Sequence, residues 1–342
     1  MKALVVRLSS IGDVVHTLPA AASLTARGFE TGWVVEPAAL PLLEGNPAVA
    51  WVTRAPAARA FRLRPALGAL RSLRSRGCDV ALDFQGLWKS GVWARLSGAG
   101  RVIGYARAWR REGSSEALLG ETIELPSRVT HVIDKNLALL CSLGIDAVGS
   151  REFPLPVDAA VRASVEQRLM ATVAKGYVVL NAGGGWASKL WPAEHFGAVA
   201  NALSDRGIAS LVTWGPGEEA LAEKVVRSSR GRARRCFPTT LLELVEVLRR
   251  ARLVVAADTG PLHIACALGV PVVGLYGPTD PARNGPFAAE DAVVRRAPAC
   301  APCHRRVCPV HDGVMAAIPT DEVVAAVDRR LATDRGRPHV AV

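Results

Sequence analysis

The chain contains no apolar run of the roughly 20 residues that a membrane-spanning helix needs. Its opening, MKALVVRLSSIGDVV, holds too short an apolar stretch, interrupted by Arg7, to read as a secretory signal. A cytoplasmic protein is expected. Cysteine is sparse and odd in number, seven in 342 residues. Cys78, Cys141, Cys236 and Cys266 lie in apolar or helical contexts, so a disulfide framework is not expected. Aromatic residues make up only 5% of the chain and are not interleaved with basic ones. With no nucleic-acid-binding motif beside them, a nucleic-acid partner is not expected despite the net charge of +11. Neither GxxxxGK[ST] nor GxGxxG occurs, which disfavours a P-loop nucleotidase and a dinucleotide-binding domain. Lysine is scarce, six residues against 36 arginines.

Half of the residues are apolar, enough for two buried cores in a chain of this length. The basic excess is spread over both halves and favours anionic partners such as phosphorylated ligands or acidic lipid headgroups. A β-branched run at 3–8, a helical pattern over 14–26 that stops at Gly28, and a second run at 31–35 make a βαβ unit, which implies a parallel sheet. The rhythm continues with a helix over 66–76, strands over 78–83 and 102–103, and a helix over 134–143. Phe153-Pro154-Leu155-Pro156 interrupts it. After a helix over 159–174 it restarts. Strands are expected at 177–181, 210–213, 253–257 and 270–275, and helices over 193–205, 218–227, 241–250, 262–268 and 320–331. The reading is α/β: two doubly wound, Rossmann-like domains facing a central cleft. Residues 1–156 form the first, 157–319 the second, and 320–342 a last helix and tail packing back toward the N-terminal domain.

In such sheets ligands sit beyond the carboxyl ends of the strands, so the strand-to-helix loops carry the candidates. The first is Ser9-Ser10-Ile11-Gly12-Asp13, where Asp13 suits both an N-cap and a ligand-facing carboxylate. The second is Gly183-Gly184-Gly185 through Lys189, where a rare lysine follows three glycines; it reads as a phosphate-binding charge or as a solvated surface residue. The third, Ala257-Asp258-Thr259-Gly260-Pro261-Leu262-His263, delivers an Asp-Thr-Gly turn to a helix start. Its N–H groups at Thr259 and Gly260 suit a diphosphate, Asp258 suits sugar hydroxyls, and His263 suits either ligand contact or a satisfied buried histidine. Trp214-Gly215-Pro216-Gly217-Glu218-Glu219 offers carboxylates for ribose hydroxyls, or merely acids at a helix start. Residues 54–76 hold seven arginines and no acid, and Arg107, Arg110 and Arg111 form a second basic cluster. Cys300, Cys303 and Cys308, with His304 and His311 nearby, have part of a zinc spacing but no second ligand pair; no metal and no cofactor is expected.

Together these loops resemble the ADP-heptose:lipopolysaccharide heptosyltransferases, inverting glycosyltransferases of family 9 with the GT-B fold. The likeness is carried by RLSSIGDVVHTLPA, LDFQGLWKSG, KLWP, WGPGEE and ADTGPLHIACALGVPVVGLYGPTDPARNGPF, and spans nearly the whole chain. The opening and the HVIDKN segment look more like heptosyltransferase I than heptosyltransferase II, whose acceptor differs. The resemblance implies that Asp13 is the general base and that Lys189 lies on the donor phosphates. It implies donor contacts at Gly184, Gly185, Glu219, Thr239, Asp258, Thr259, Gly260 and His263. At Gly184 and Gly185 the family carries short hydroxyl residues instead. It further implies an ADP-heptose donor and a Kdo–lipid A acceptor at the inner membrane surface, met by Ser10, Gly12, Arg62, Arg64, Arg107 and Arg111. The chemistry it implies is metal-independent, in keeping with the lack of a DxD motif.

Overall fold

The computed structural model describes residues 1–57, 63–173, 176–303, 305–309 and 313–333. The chain divides into two compact units, Met1–Val157 and Asp158–Val342, one residue beyond the boundary expected from the Pro-rich break.

The first unit is built on strands β1 (Lys2–Val6), β2 (Glu30–Val35), β3 (Trp51–Arg54), β4 (Val80–Asp83), β5 (Arg101–Tyr105) and β6 (Glu121–Ile123). They form one all-parallel sheet in the order β3-β2-β1-β4-β5-β6. Its helices are α1 (Ile11–Val15), α2 (Leu18–Ala26), α3 (Leu63–Ser75), α4 (Trp88–Leu96) and α5 (Val132–Leu139). The second unit repeats the plan with β7 (Val178–Asn181), β8 (Ser210–Thr213), β9 (Ala233–Arg235), β10 (Leu253–Ala257), β11 (Val272–Tyr276) and β12 (Ala292–Arg295), in the order β9-β8-β7-β10-β11-β12. Its helices are α6 (Ala159–Thr172), α7 (Ala193–Asp205), α8 (Glu219–Ser228), α9 (Leu241–Arg249), α10 (Gly260–Ala267), α11 (Pro281–Asn284) and α12 (Thr320–Thr333). Each unit therefore has the 3-2-1-4-5-6 strand order of a Rossmann fold. Central strands such as β10, LVVAA, are buried along their whole length, as a sheet covered by helices on both faces requires.

Four strands escaped the sequence reading: β3, β6, β9 and β12. All are edge strands of three or four residues, and their sequences (ETI and ARR among them) lack the apolar run that marks a central strand. At one edge a glycine carries the pairing. Gly32 of β2 lies opposite Trp51 of β3, and a Cβ there would meet the Trp51 ring at 2.0 Å, so the indole takes the place of a side chain. The helix expected over 14–26 is two helices. Pro19 lacks the N–H that would bond the carbonyl four residues back, and the Thr17 hydroxyl donates to the Asp13 carbonyl at 2.8 Å, which turns the chain between α1 and α2.

The apolar face of α12, Val323, Ala326, Val327 and Leu331, is buried in the core of its own unit with Val255, Val273 and Leu275. The buried Arg330–Asp291 pair, 3.0 Å, fastens it there, and Asp291 also accepts the Val272 N–H of β11. The tail beyond it lies outside the described residues.

Beneath the first unit's loops sits a wholly buried ion pair. Arg110 donates to Asp83 Oδ2 at 2.7 Å and both side chains are fully shielded. Asp83 Oδ1 accepts the N–H groups of Gln85 and Gly86, and Arg110 Nε donates to Ser115. Arg110 thus belongs to the interior and not to a surface cluster with Arg107 and Arg111, which are exposed. Removing one partner leaves the other charge buried and alone. Arg110→Ala is expected to lower the stability of the protein by about 3–5 kcal/mol in urea unfolding; a loss under about 1 kcal/mol would show that the pair is not a main tie of this unit.

Candidate functional site

In a 3-2-1-4-5-6 sheet the connections leave strands 1 and 4 toward opposite faces, and their carboxyl ends flank a crevice. In the second unit those strands are β7 and β10. The loops after them are Gly183–Gly185 leading to Lys189, and Asp258-Thr259 leading to α10. They meet. Lys189 Nζ donates to Asp258 Oδ2 at 2.6 Å and to the Asp258 carbonyl at 3.1 Å. Gly184 packs against Thr259, whose Cγ2 would stand 3.2 Å from a Cβ at 184.

Asp258 is the centre of this arrangement. Its side chain is 3% exposed. Oδ1 accepts from His263 Nε2 at 3.0 Å and Asn284 Nδ2 at 2.7 Å, while Oδ2 takes Lys189. Burial by itself raises this carboxyl. The hydrogen bond and charge of His263, joined by those of Lys189, outweigh burial and hold the group far below the usual carboxylate range. Lys189 spends two of its three N–H donors on Asp258, and its ammonium lies 4.6 Å from the Trp186 ring centroid. Beside it α10 begins at Gly260 with Thr259 as N-cap and Pro261 in the first turn. The first N–H groups of that helix have no intrahelical carbonyl, and the helix dipole makes its start electropositive. An ammonium, a helix start and a glycine-lined loop form a seat for a phosphorylated ligand.

Two neighbours set this geometry without having been marked in the sequence as doing so. Glu218 takes the Gly184 N–H on Oε1 and the Gly215 N–H on Oε2, both at 2.8 Å, and so splices the β7 and β8 loops. A Cβ at Gly183 would stand 2.0 Å from its Oε2. Glu219 does not share this role: it starts α8 with its side chain 55% exposed and paired with Arg235. Ser188, buried next to Lys189, donates its N–H to the Arg306 carbonyl at 3.0 Å and its hydroxyl to the Arg305 carbonyl at 2.7 Å. The cysteine-bearing loop therefore braces the lysine turn. Cys300 is exposed and Cys303 and Cys308 are half-buried, while His304 and His311 lie outside the described residues. Among the described residues no three His, Cys, Asp or Glu side chains group as metal ligands. The thiol of Cys236, by contrast, is pushed up to about 12 by burial and is inert. Thr239 lies in the loop before α9, half-buried.

In the first unit the corresponding strands are β1 and β4. Ser10 caps α1, and its N–H and hydroxyl both reach Asp13 Oδ2, at 3.2 and 2.9 Å. Asp13 Oδ1 pairs with Arg7, whose buried guanidinium also donates to the Phe84 carbonyl of the β4 loop. Gln85 accepts the Leu8 N–H at 2.8 Å, and Lys89 bonds Ser9 and Glu36. The N-cap is therefore Ser10 and not Asp13, which stands at the third position of α1 and reaches back to Ser10 as the partner of a capping box, because the helix begins at Ile11. The Asp13 carboxylate is 30% exposed. Gly12 is buried in the same turn, and Arg64, Arg107 and Arg111 are exposed. Arg62 lies outside the described residues. Arg7 and Asn284 are not marked by the sequence, and Glu218 is marked there only as a carboxylate for ribose or a helix start, not as the splice of two loops. All stand inside the motifs already singled out, beside residues that were chosen.

Against known proteins, residues 67–312 match the model of glycosyltransferase family 9 (heptosyltransferase). Lipopolysaccharide heptosyltransferase 1 of Pseudomonas aeruginosa is 30% identical over 324 residues, 90% of this chain and 87% of that protein. Among solved structures, E. coli heptosyltransferase WaaC with ADP superposes with a TM-score of 0.73 at 24% identity, covering 97% of this chain and all of that one. E. coli ADP-heptose lps heptosyltransferase II superposes with a TM-score of 0.79 at 20% identity, over 98% of this chain and 100% of that one.

Asp258→Asn keeps the shape and removes the charge that Lys189 and His263 face. It is expected to cost about 3 kcal/mol at neutral pH, the lower end for breaking a buried pair. The wild-type carboxyl is depressed in the fold, so its contribution is complete above its unfolded value near 4 and is lost as pH falls below that. Urea melts at pH 6 and pH 3 are expected to show the gap between wild type and variant shrinking on acidification. A gap that is constant or widens contradicts the assignment.

Proposed function

The chain belongs to glycosyltransferase family 9, and on that premise we propose that it moves heptose from ADP-L-glycero-D-manno-heptose to the Kdo–lipid A inner core of lipopolysaccharide, with inversion. The observation that carries the donor half is the buried Asp258 carboxylate holding Lys189 beside the start of α10. Lys189 keeps one N–H donor beyond the two that Asp258 takes, and that donor goes to the diphosphate. The N–H groups of Thr259 and Gly260 take the other phosphate oxygens. Gly184 and Gly185 let the backbone come close. Glu219 is the ribose contact. Glu218 is already committed to two backbone N–H groups, whereas Glu219 gives up only an exposed pair with Arg235, which is worth little in water. Thr239, in the loop before α9, is the adenine contact.

Inversion needs one in-line displacement at the anomeric carbon. Asp13 takes the acceptor hydroxyl proton as that oxygen attacks. Arg7 and Ser10 fix its two oxygens, so the base does not have to be ordered during the reaction. The bond to ADP breaks as the new bond forms. The charge that develops on the departing diphosphate is stabilised by Lys189 and by the helix start. Ser10 and Gly12 line the acceptor side, with Arg64, Arg107, Arg111 and, outside the described residues, Arg62 for the acceptor's phosphates and carboxylates. The type I acceptor is supported by the 30% identity to a heptosyltransferase 1 over most of both chains. Such an acceptor is embedded in a bilayer. The protein accordingly works in the cytoplasm at the inner face of the membrane, although no helix among the described residues is long and apolar enough to cross one.

Mass spectrometry of products formed from ADP-heptose and a panel of Kdo- and heptose-terminated acceptors tests the reading. A heptose is expected on the Kdo-terminated acceptor; a product only on heptose-terminated ones replaces type I with another acceptor. Asp13→Asn is expected to abolish turnover and leave ADP-heptose affinity within about twofold, so near-normal turnover removes it as the base. Lys189→Ala is expected to weaken ADP binding by roughly 10- to 150-fold, the worth of one charge-assisted contact. Unchanged affinity in calorimetry removes it from the donor site.

A further inference from the structure

Helices α3 and α4 cover the same face of the first sheet. Ala69, Leu70 and Leu73 of α3 and Trp93 and Ala94 of α4 pack into one core with Leu4, Val6 and Ala81. Both helices connect parallel strands and so run in the same direction. Arg74 Nε donates to the Leu96 carbonyl at 2.9 Å, which ties their last turns together. Their outer faces therefore lie side by side.

Those outer faces have an unusual composition. On α4, Trp88, Val92 and Leu96 are 44%, 39% and 37% exposed. Their spacing of four puts them in one ridge along the outside of the helix. On α3, Leu67 is 51% exposed. The exposed charged residues of the two helices are Arg64, Arg71, Arg74 and Arg95, and neither helix contains an acidic residue. Among the described residues, some exposed arginines elsewhere pair with carboxylates, as Arg101 does with Glu121, Arg206 with Asp328 and Arg232 with Asp205, while others, such as Arg54, Arg111 and Arg234, do not. None of the ion pairs among the described residues involves the four arginines of this face. Glu112 stands at the start of the ridge, where it accepts the Trp88 N–H at 2.6 Å, and arginines border the rest. A ridge of Trp, Val and Leu bordered mainly by cations suits a surface with negative headgroups above an apolar interior. A nucleic acid has no use for the aliphatic ridge.

We propose that the α3–α4 face docks the protein on an anionic phospholipid bilayer, with Trp88, Val92 and Leu96 entering the headgroup boundary and Arg71, Arg74 and Arg95 lying on the lipid phosphates. Its purpose, presenting a lipid-anchored acceptor, rests on the transferase reading above. The docking itself does not. Co-sedimentation with phosphatidylglycerol–phosphatidylcholine vesicles, against phosphatidylcholine alone, tests it without substrate. The full chain is expected to pellet with the anionic vesicles and to be released by salt. Val92→Ser/Leu96→Ser is expected to weaken partitioning at least tenfold. Arg71→Glu/Arg95→Glu is expected to weaken it roughly 25-fold or more, from about fivefold per basic side chain at an anionic surface. Both variants are expected to keep the wild-type melting temperature and the wild-type rate on a delipidated acceptor. Wild-type protein that ignores anionic vesicles overturns the proposal, as do folded variants that bind them unchanged. A dimer in sedimentation velocity that Val92→Ser/Leu96→Ser dissociates, without vesicle binding, overturns it in favour of a self-interface. Variant-sensitive vesicle binding in a protein with no transferase activity upholds the docking face and removes only the transferase reading.

Discussion

Everything that makes this chain a candidate for chemistry depends on one topological constraint. In each parallel sheet, the strand order reverses direction between its first and fourth strands. All carboxyl ends then emerge on one edge, and at the reversal the outgoing chains part to opposite faces. The protein uses this opening twice. In both units the loop after the first strand is bonded to the loop after the fourth, through Arg7 and Phe84 in one and through Lys189 and Asp258 in the other. The sheet supplies the place, and a few polar side chains supply the closure.

The two units contain related charge pairs put to different ends. Asp83 and Arg110 are completely shielded, and the aspartate's other oxygen is spent on two backbone N–H groups. Both side chains are shut away from any ligand, so this pair organises a loop. The pair of Lys189 with Asp258 has the aspartate equally satisfied, but its lysine is 15% exposed and lies beside a helix start. The difference lies in which partner keeps unused donors at the surface. The carboxylate in each case is an anchor, and only in the second unit does the cation it anchors reach outward.

Much of this was legible in the sequence. The alternation of short β-branched runs with helical patterns gave the α/β class, and the two halves followed from a Pro-rich break. Asp13, Lys189, Asp258 and His263 stand out in the sequence because they lie in strand-to-helix loops, the loops such a sheet directs to its ligand edge, and three of them, Lys189, Asp258 and His263, meet in the fold. The edge strands were not legible, because half their hydrogen-bonding capacity faces outward and they need no apolar run. The roles of Glu218 and Asn284 were not legible either. Each acts through a partner some 25 to 35 residues away in sequence, Gly184 for Glu218 and Asp258 for Asn284, and local patterning carries no trace of such a pairing. Arg110 was misread for the same reason: a buried arginine with a distant carboxylate has the same local sequence as a solvated one. The final helix shows a third limit. Periodicity revealed which face of α12 is apolar but not which unit would bury it.

The Glu218 splice also bears on how this family of sequences can drift. Its Oε2 occupies the volume that any side chain at position 183 would need. Gly183 and Glu218 are therefore not free to change one at a time. A lineage that acquires alanine or serine at 183 must first lose or reorient the glutamate, and then needs another acceptor for the N–H groups of Gly184 and Gly215. Substitution at these two positions should be correlated among homologues, with paths between the two combinations passing through a less stable intermediate.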